Sequence, residues 1–395
     1  MPKFHIKGGD YNNFGDQLML KTLISQLQSV SSKNILAVEN HYCNYNVRSS
    51  LGLYLLMWEK KKMRFSGLIA DPIIRRYSKP LGIIQRDQIS AVLDISGFAY
   101  TDYWGPQNTI NMARYVEMQS KRGAKIVLMP QAYGPFESPQ IQEYFLRLAT
   151  HTSMIYTRDK FSYNAMQNIG VDKNKISIAP DITTVSPIQV PNWCTTFSPY
   201  VCIIPNSRMF EQNSETKSNY LNVLGSVAKL IQEKNRKPLF LVFEDRDFNL
   251  VREIKATTSA QIFISNTSDP VIIKGIISDA ELVIGSRYHS LVSSLSQSVP
   301  SIGTSWAHKY EELFDDYDMS NYLIKNLKVE PLNDFVNNLL DADNNIKVRK
   351  MLSETASSMI NQTNKMLKNV FNVIGCSVNE VEDYSYPKAV MDLSN

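Results

Sequence analysis

Apolar residues along this chain come in short runs separated by stretches with helical periodicity. Phe4 to Lys7 reads as a strand, Gly8-Gly9 breaks it, and Leu20, Leu23, Ile24 and Leu27 recur at the spacing of one buried helix face. The same alternation continues. Ala91 to Ile95, Ile126 to Met129, Met154 to Tyr156 and Ile176 to Ala179 read as further strands, each emptying into a polar or glycine-containing loop. Strands alternating with helices predict a parallel sheet covered by helices, an α/β class.

From Val185 to Pro199 the chain is rich in Pro, Ser and Thr and loses both periodicities, as a domain linker does. A second series follows, with strands predicted at Tyr200 to Ile204, Leu239 to Phe243, Gln261 to Ile264, Glu281 to Ile284 and Ser301-Ile302. Two Rossmann-like domains facing a cleft are therefore expected, over residues 1–190 and 191–395. Leu352, Ala356, Met359, Met366 and Val370 then predict a terminal helix packing back onto one domain, and Tyr384 to Asn395 read as a loose tail. A length of 395 residues with 43% apolar content suits two cores.

The net charge of +4 is modest, and no basic, aromatic-interleaved stripe marks a nucleic-acid binder. Basic residues do cluster at Lys60-Lys61-Lys62 with Arg64 and at Arg75-Arg76, beside apolar Leu51 to Trp58. A solvated face is the preferred reading of that cluster, with a membrane-surface patch serving a lipid-linked acceptor as the sharper one. No apolar run is long enough to span a bilayer and the N-terminus lacks a signal-like pattern, so a cytoplasmic protein is expected, at most touching the inner membrane face. Cys43, Cys194, Cys202 and Cys376 are scattered, without metal-ligand spacing, and are expected to be buried thiols.

Open parallel sheets bind ligands beyond the carboxyl ends of their strands, where helix N-termini favour anions. Three glycines, Gly8, Gly9 and Gly15, follow the first strand and let backbone approach a ligand. Asp10 and Asp16 supply carboxylates that could hold sugar hydroxyls or act as a base. For Asn13 and Asp16 a plain helix-capping role stays open. The segment is not a GxGxxG dinucleotide fingerprint.

The strongest cluster is Glu281-Leu-Val-Ile-Gly-Ser-Arg-Tyr-His-Ser-Leu, a buried strand ending at Gly285-Ser286 with a helix beginning near Arg287. Arg287 offers a planar fork for phosphate or carboxylate, and His289 exchanges protons near neutral pH. Two such residues at an anion-favouring helix start are an odd choice for packing alone. After Pro300 to Ile302, Lys309 can contact phosphate and Trp306 can stack on a sugar face. Arg158-Asp159 is either an anion contact with a cap or a local ion pair. Gln131, in Pro130 to Pro135, sits in a turn or a pocket wall. Arg208, after Asn206-Ser207, offers a second fork.

Asn13-x-Gly15-Asp16, Ser96-Gly97, Pro130-Gln131 with Gly134-Pro135, Arg158-Asp159 with Ser162, Pro180-Asp181, and Gly285-Ser-Arg-Tyr-His-Ser through Pro300 to Trp306-x-His308-Lys309-Tyr310 together resemble the polysaccharide pyruvyl transferase family. The resemblance runs from Gly8 to about Tyr317, and its last block is the most specific. Ser96-Gly97-Phe98-Ala99 departs from it, being poorer in glycine than many members. The resemblance implies a fold like that of B-type glycosyltransferases, phosphoenolpyruvate as co-substrate, and a pyruvate ketal on a cell-surface saccharide as product. On that scheme Arg287, Arg208, Arg158 and Lys309 hold the donor. His289 is the acid/base, Asp16 or Asp10 handles the acceptor hydroxyl, and Asn13, Gly15, Gln131 and Trp306 meet the acceptor. Neither cofactor nor metal is called for. A nucleotide-sugar glycosyltransferase is the enzymatic rival, though Glu281, Glu311 and Glu312 lack a partner eight positions away. A silent glycan-binding protein is the other.

Overall fold

The computed structural model of the chain describes residues 1–57, 81–211, 216–265, 267–305, 307–325 and 327–376. The basic run Lys60 to Arg64, Arg75-Arg76, Trp306 and the tail from Tyr384 lie outside the described residues. Two parallel sheets organise the rest. The first holds β1 (Lys3–Gly8), β2 (Ile35–Val38), β3 (Tyr54–Leu56), β4 (Ile83–Ile84), β5 (Ala91–Ile95), β6 (Lys125–Gln131), β7 (Met154–Thr157) and β8 (Ile176–Ile178), in the order β4-β3-β2-β1-β5-β6-β7-β8. The second holds β9 (Tyr200–Ile204), β10 (Lys237–Phe240), β11 (Phe263–Ile264), β12 (Leu282–Gly285), β13 (Ser301–Thr304) and β14 (Leu323–Ile324), in the order β11-β10-β9-β12-β13-β14.

The expected α/β architecture of two Rossmann-like halves is thus present, with the short strands β2, β3, β4 and β14 in addition, β4 and β14 at sheet edges. β10 ends earlier than its apolar run. Leu241 and Phe243 stay buried beyond the last ladder pair because that run continues into the cleft. All four cysteines are free and buried. Among the described residues no helix is long and apolar enough to cross a membrane.

Each sheet is covered by helices on both faces, and separate apolar clusters fill the layers. Phe4, Leu20, Leu23 and Leu27 are all fully buried, each such side chain contributing about 1.5–3 kcal/mol. Between β8 and β9 the chain is packed rather than loose. A Cβ on Gly275 would lie 2.1 Å from the Gln189 carbonyl oxygen, so helix Pro270–Ser278 presses directly on the connecting segment.

The terminal helix Ala342–Val373 serves both cores instead of one. Val348, Leu352 and Ala356 join the core of the second sheet, while Met366, Leu367, Val370 and Phe371 join that of the first.

Strand order places the site. In the first sheet the chain runs outward through β2 to β4, then returns to the other side of β1 as β5. In the second it runs outward through β10 and β11, then returns to the other side of β9 as β12. The carboxyl ends on either side of such a reversal diverge and leave a crevice. Here two crevices face each other.

Candidate functional site

The first crevice is built by close backbone approach. Gly8 pairs in register with Ile95, and with φ of 88° its missing side chain leaves room for Ser96, whose nitrogen would lie 2.7 Å from a Cβ. The loop then reaches Asn13, which caps helix Phe14–Val30 by accepting hydrogen bonds from the Gly15 and Asp16 amides. Asn13 also donates through Nδ2 to Glu244 of the opposite half, at 2.9 Å. It is therefore both cap and cleft residue. Asp16 sits in the first turn of this helix beside Gly97.

A fixed polar network sets the second crevice. The Ser286 carbonyl accepts from Asn206 Nδ2 and from the Tyr310 hydroxyl, while the Ser286 hydroxyl meets Tyr220 and Thr304. This ties the ends of β9, β12 and β13 together and sets the start of helix Tyr288–Leu295. Arg287 is its N-cap, and its Nη1 and Nη2 donate to Glu244 at 2.6 Å and to Asp247 at 2.5 Å. Within the first turn, His289 packs so tightly against the opposite half that a Cβ on Gly15 would lie 2.1 Å from its Nδ1. Its Nε2 faces Asp181 at 3.6 Å, just too long for a hydrogen bond and close enough to pair once the ring is protonated.

Asp181 also accepts from Arg158 at 2.9 Å and from the Thr183 amide and hydroxyl. The Arg158 guanidinium lies 3.9 Å from the Tyr288 ring centroid, within cation–π range. Asp159 is a helix cap accepting from Ser162, so Arg158 pairs with Asp181 and not with its sequence neighbour.

Between the crevices lies a cavity of about 220 Å³ lined by Asn13, Gly15, Asp16, Arg158, Arg208, Arg287, His289 and Lys309, together with Ser96, Gly97, Phe98, Trp104, Asn206, Phe243, Glu244, Arg246, Tyr288 and Tyr310. Lys309, near the start of helix His308–Asp316, is buried with Nζ 4.7 Å from the Phe98 ring centroid. Arg208 and Arg246 lie nearer the mouth, both paired with Glu211. Three helix N-termini and five cationic side chains thus converge, which favours an anion.

Burial governs the titration here. It pushes the Asp16 carboxyl up to about 7, reinforced by the charge of Asp10 and opposed by Lys309 and Arg158. The Lys309 ammonium is drawn down to about 7, first by burial and then by Arg158. Burial also lowers His289, partly countered by Asp181, so the imidazole is neutral at neutral pH. For Asp181, burial is outweighed by His289, Arg158 and the Thr183 amide, which hold it well below the usual carboxylate range.

Two expected residues are elsewhere. Asp10 is outside the lining. Its Oδ1 accepts from the Asn12 amide and side chain, shaping the loop, and it reaches the site only as a charge on Asp16. Gln131 is buried behind the cavity, donating to Asp94 at 2.9 Å in a cluster with Ser96 and Tyr100, because β6 carries it into the sheet interior. Conversely, Glu244, Asp247, Arg246 and Trp104 belong to the site but were not anticipated. Asp181 enters the sequence reading only through the Pro180-Asp181 piece of the resemblance.

Comparison with solved structures finds the same fold at low identity. A putative UDP-N-acetylglucosamine 2-epimerase from Listeria monocytogenes gives a TM-score of 0.61 at 10% identity, covering 95% of this chain and 97% of its own. S. aureus MnaA with UDP gives 0.59 at 10% identity, covering 97% and 100%. A glycosyltransferase from Rickettsia africae gives 0.58 at 13% identity, covering 96% and 99%. No match is found among curated proteins. The family model for polysaccharide pyruvyl transferase matches residues 13–308, a span that opens at the cap Asn13 and takes in Asp16, Arg158, Asp181, Arg287 and His289. With most of its length so matched, the chain belongs to the polysaccharide pyruvyl transferase family, transferases acting on polysaccharides.

Proposed function

We propose that the protein transfers the enolpyruvyl unit of phosphoenolpyruvate to a saccharide and closes it as a ketal across two hydroxyls. The observation that carries this reading is the convergence of Arg158, Arg208, Arg287 and Lys309 on a cavity that also holds His289 backed by Asp181. A volume of about 220 Å³ suits a small multiply charged metabolite and falls below the roughly 300–1,000 Å³ typical of pockets for larger ligands.

In the first step an acceptor hydroxyl adds to C2 of the donor. Its oxygen forms the new C–O bond, its proton passes to Asp16, and the methylene carbon C3 takes a proton from His289 to become a methyl group. A second hydroxyl then attacks C2, the C2–O bond to the phosphate breaks, and inorganic phosphate leaves with that hydroxyl's proton. A carboxyl near 7 is matched to accepting a proton at physiological pH. His289 rests neutral, and the donor's negative charge raises its proton affinity on binding, so the substrate loads its own acid. Lys309 gains charge by the same coupling.

Arginine engagement gives the donor its selectivity. Arg287 is held by Glu244 and Asp247 and Arg158 by Asp181 in largely buried pairs, so these two forks are oriented before the donor arrives, while Arg208 makes a more exposed pair with Glu211 at the mouth. The test is incubation with phosphoenolpyruvate and galactosyl or N-acetylmannosaminyl acceptors, scoring phosphate release and the mass gain of a carboxyethylidene group. Thermal-shift titration against nucleotide sugars identifies the donor, since only the true one stabilises the fold strongly. His289→Ala is expected to lower turnover by about 10²–10⁴-fold, and full turnover in that variant would remove the imidazole from its role.

A further inference from the structure

Trp104 is 40% exposed on the cavity lining, yet it is rigidly held. Its indole Nε1 donates to the Phe98 carbonyl at 2.8 Å, which fixes the plane of the ring. The turn that carries it is pinned as well: Thr101 caps it through the Tyr103 amide, and the Asp102 carboxylate accepts from the Glu137 and Ser138 amides. Packing does not account for such an arrangement. A core tryptophan would be covered, and an incidental surface one would not be anchored from several sides. A large, immobile, half-exposed aromatic presents contact area at little entropic loss on binding.

Its surroundings point to the ligand. Phe98 lies between Lys309, whose Nζ is 4.7 Å from its ring centroid, and Tyr103, whose ring is 5.8 Å away. Phe98 and Trp104 thus give the cavity an aromatic side next to Lys309. Asn13, Asp16 and Ser96 in the same lining are polar and suited to hydroxyls. A pyranose has this duality, with C–H groups on one face and hydroxyls around the rim. The Arg208 guanidinium, from the opposite lip, lies over the same indole at 5.6 Å from its ring centroid, a cation–π contact at the edge of range that an arriving sugar ring would share or displace.

We infer that Trp104 is the stacking platform for the acceptor sugar ring, seating it so that two of its hydroxyls meet the donor's C2. This rests on the saccharide acceptor of the function proposed above. Trp104→Ala is expected to raise the acceptor's KM about tenfold while stabilisation by phosphoenolpyruvate in thermal shift is unchanged. Trp104→Phe, which keeps an aromatic face, should recover most of the loss, and Trp104→Leu, apolar without that face, should not. An unchanged acceptor KM in the alanine variant, or equal rescue by Leu and Phe, overturns the platform.

A binding measurement separates this inference from the donor chemistry. Titration of the full chain with galactose- and N-acetylmannosamine-terminated oligosaccharides should quench tryptophan fluorescence in the native protein, and the quench should disappear in Trp104→Phe. If phosphoenolpyruvate is not turned over but the quench appears and depends on Trp104, the donor reading falls and the platform stands. If phosphoenolpyruvate is turned over and the quench persists in the variant, the platform falls alone. No quench with any of these sugars also overturns it.

Discussion

Gly15→Ala gives the sharpest test of the site's geometry. Gly15 has ordinary helical surroundings, so alanine suits the backbone and is favoured over glycine there by up to about 1 kcal/mol. Its Cβ, however, would fall 2.1 Å from Nδ1, 2.7 Å from Cγ and 3.0 Å from Cβ of His289. To restore van der Waals separation the imidazole must retreat by more than about 1 Å. It has little room, because Asp181 lies 3.6 Å from its far nitrogen and Tyr288 packs edge-on at its side. A displacement of that size in a proton-transfer group costs about 100-fold in rate. Steady-state phosphate release should therefore show kcat reduced about 100-fold, with stabilisation by phosphoenolpyruvate altered at most a few-fold. The melting temperature should fall by less than about 4 °C, since overpacking of about 1–3 kcal/mol, partly offset by helix propensity, is small against the unfolding entropy of so long a chain. Turnover at the native level would show that the His289 ring has slack, and the reasoning about its placement would fail.

Asp181→Asn strips the buried Arg158 guanidinium of its counter-charge and should destabilise the fold by about 3–5 kcal/mol in denaturant titration. Because folding depresses the Asp181 pKa, its contribution is present above the unfolded value of 3.8 and lost as pH falls further, so the gap between variant and native protein should close in acid. Asp16 has the opposite sign. Folding raises it from 3.8 to about 7, so its contribution is present below 3.8 and lost as pH climbs to 7. Asp16→Asn escapes that loss, and between pH 4 and 8 it should gain roughly 1–2 kcal/mol on the native protein, discounted for the open cavity, while losing turnover. Lys274→Met removes an ammonium that donates to the Thr183 carbonyl and the Ser186 hydroxyl beneath Asp181, and should destabilise by about 1–3 kcal/mol. Burial lowers Lys274 from 10.5 to about 7, so the unfolded chain binds the extra proton between those values and native stability should rise there relative to the variant.

What the sequence disclosed followed from local pattern. The central strands are continuous apolar runs, and Gly285-Ser286 before Arg287 marks a strand end followed by a helix start, so Arg287 and His289 could be placed at a cleft without coordinates. The short strands β3, β4 and β14 pair over two residues each, too few for either periodicity to register. Partners of the charged residues were hidden for another reason. Glu244 and Asp247 meet Arg287 across 43 and 40 positions of chain, on a helix whose spacing says nothing about β12. Gln131 misled because a strand-end motif can point its side chain either at the cleft or back into the sheet, and the buried Asp94 that draws it inward is itself distant.

The long terminal helix bears on how substrates come and go. Its 32 residues span about 48 Å, with one stretch of side chains fastened to each half and Thr363 hydrogen-bonded to Thr184 at 2.9 Å. Swinging the halves apart as rigid bodies would peel one of those stretches off its seat. The strut therefore opposes wide separation of the halves and leaves bending of the helix between Ala356 and Thr363 as the means of breathing, which favours exchange through the mouth beside Trp104 and Arg208.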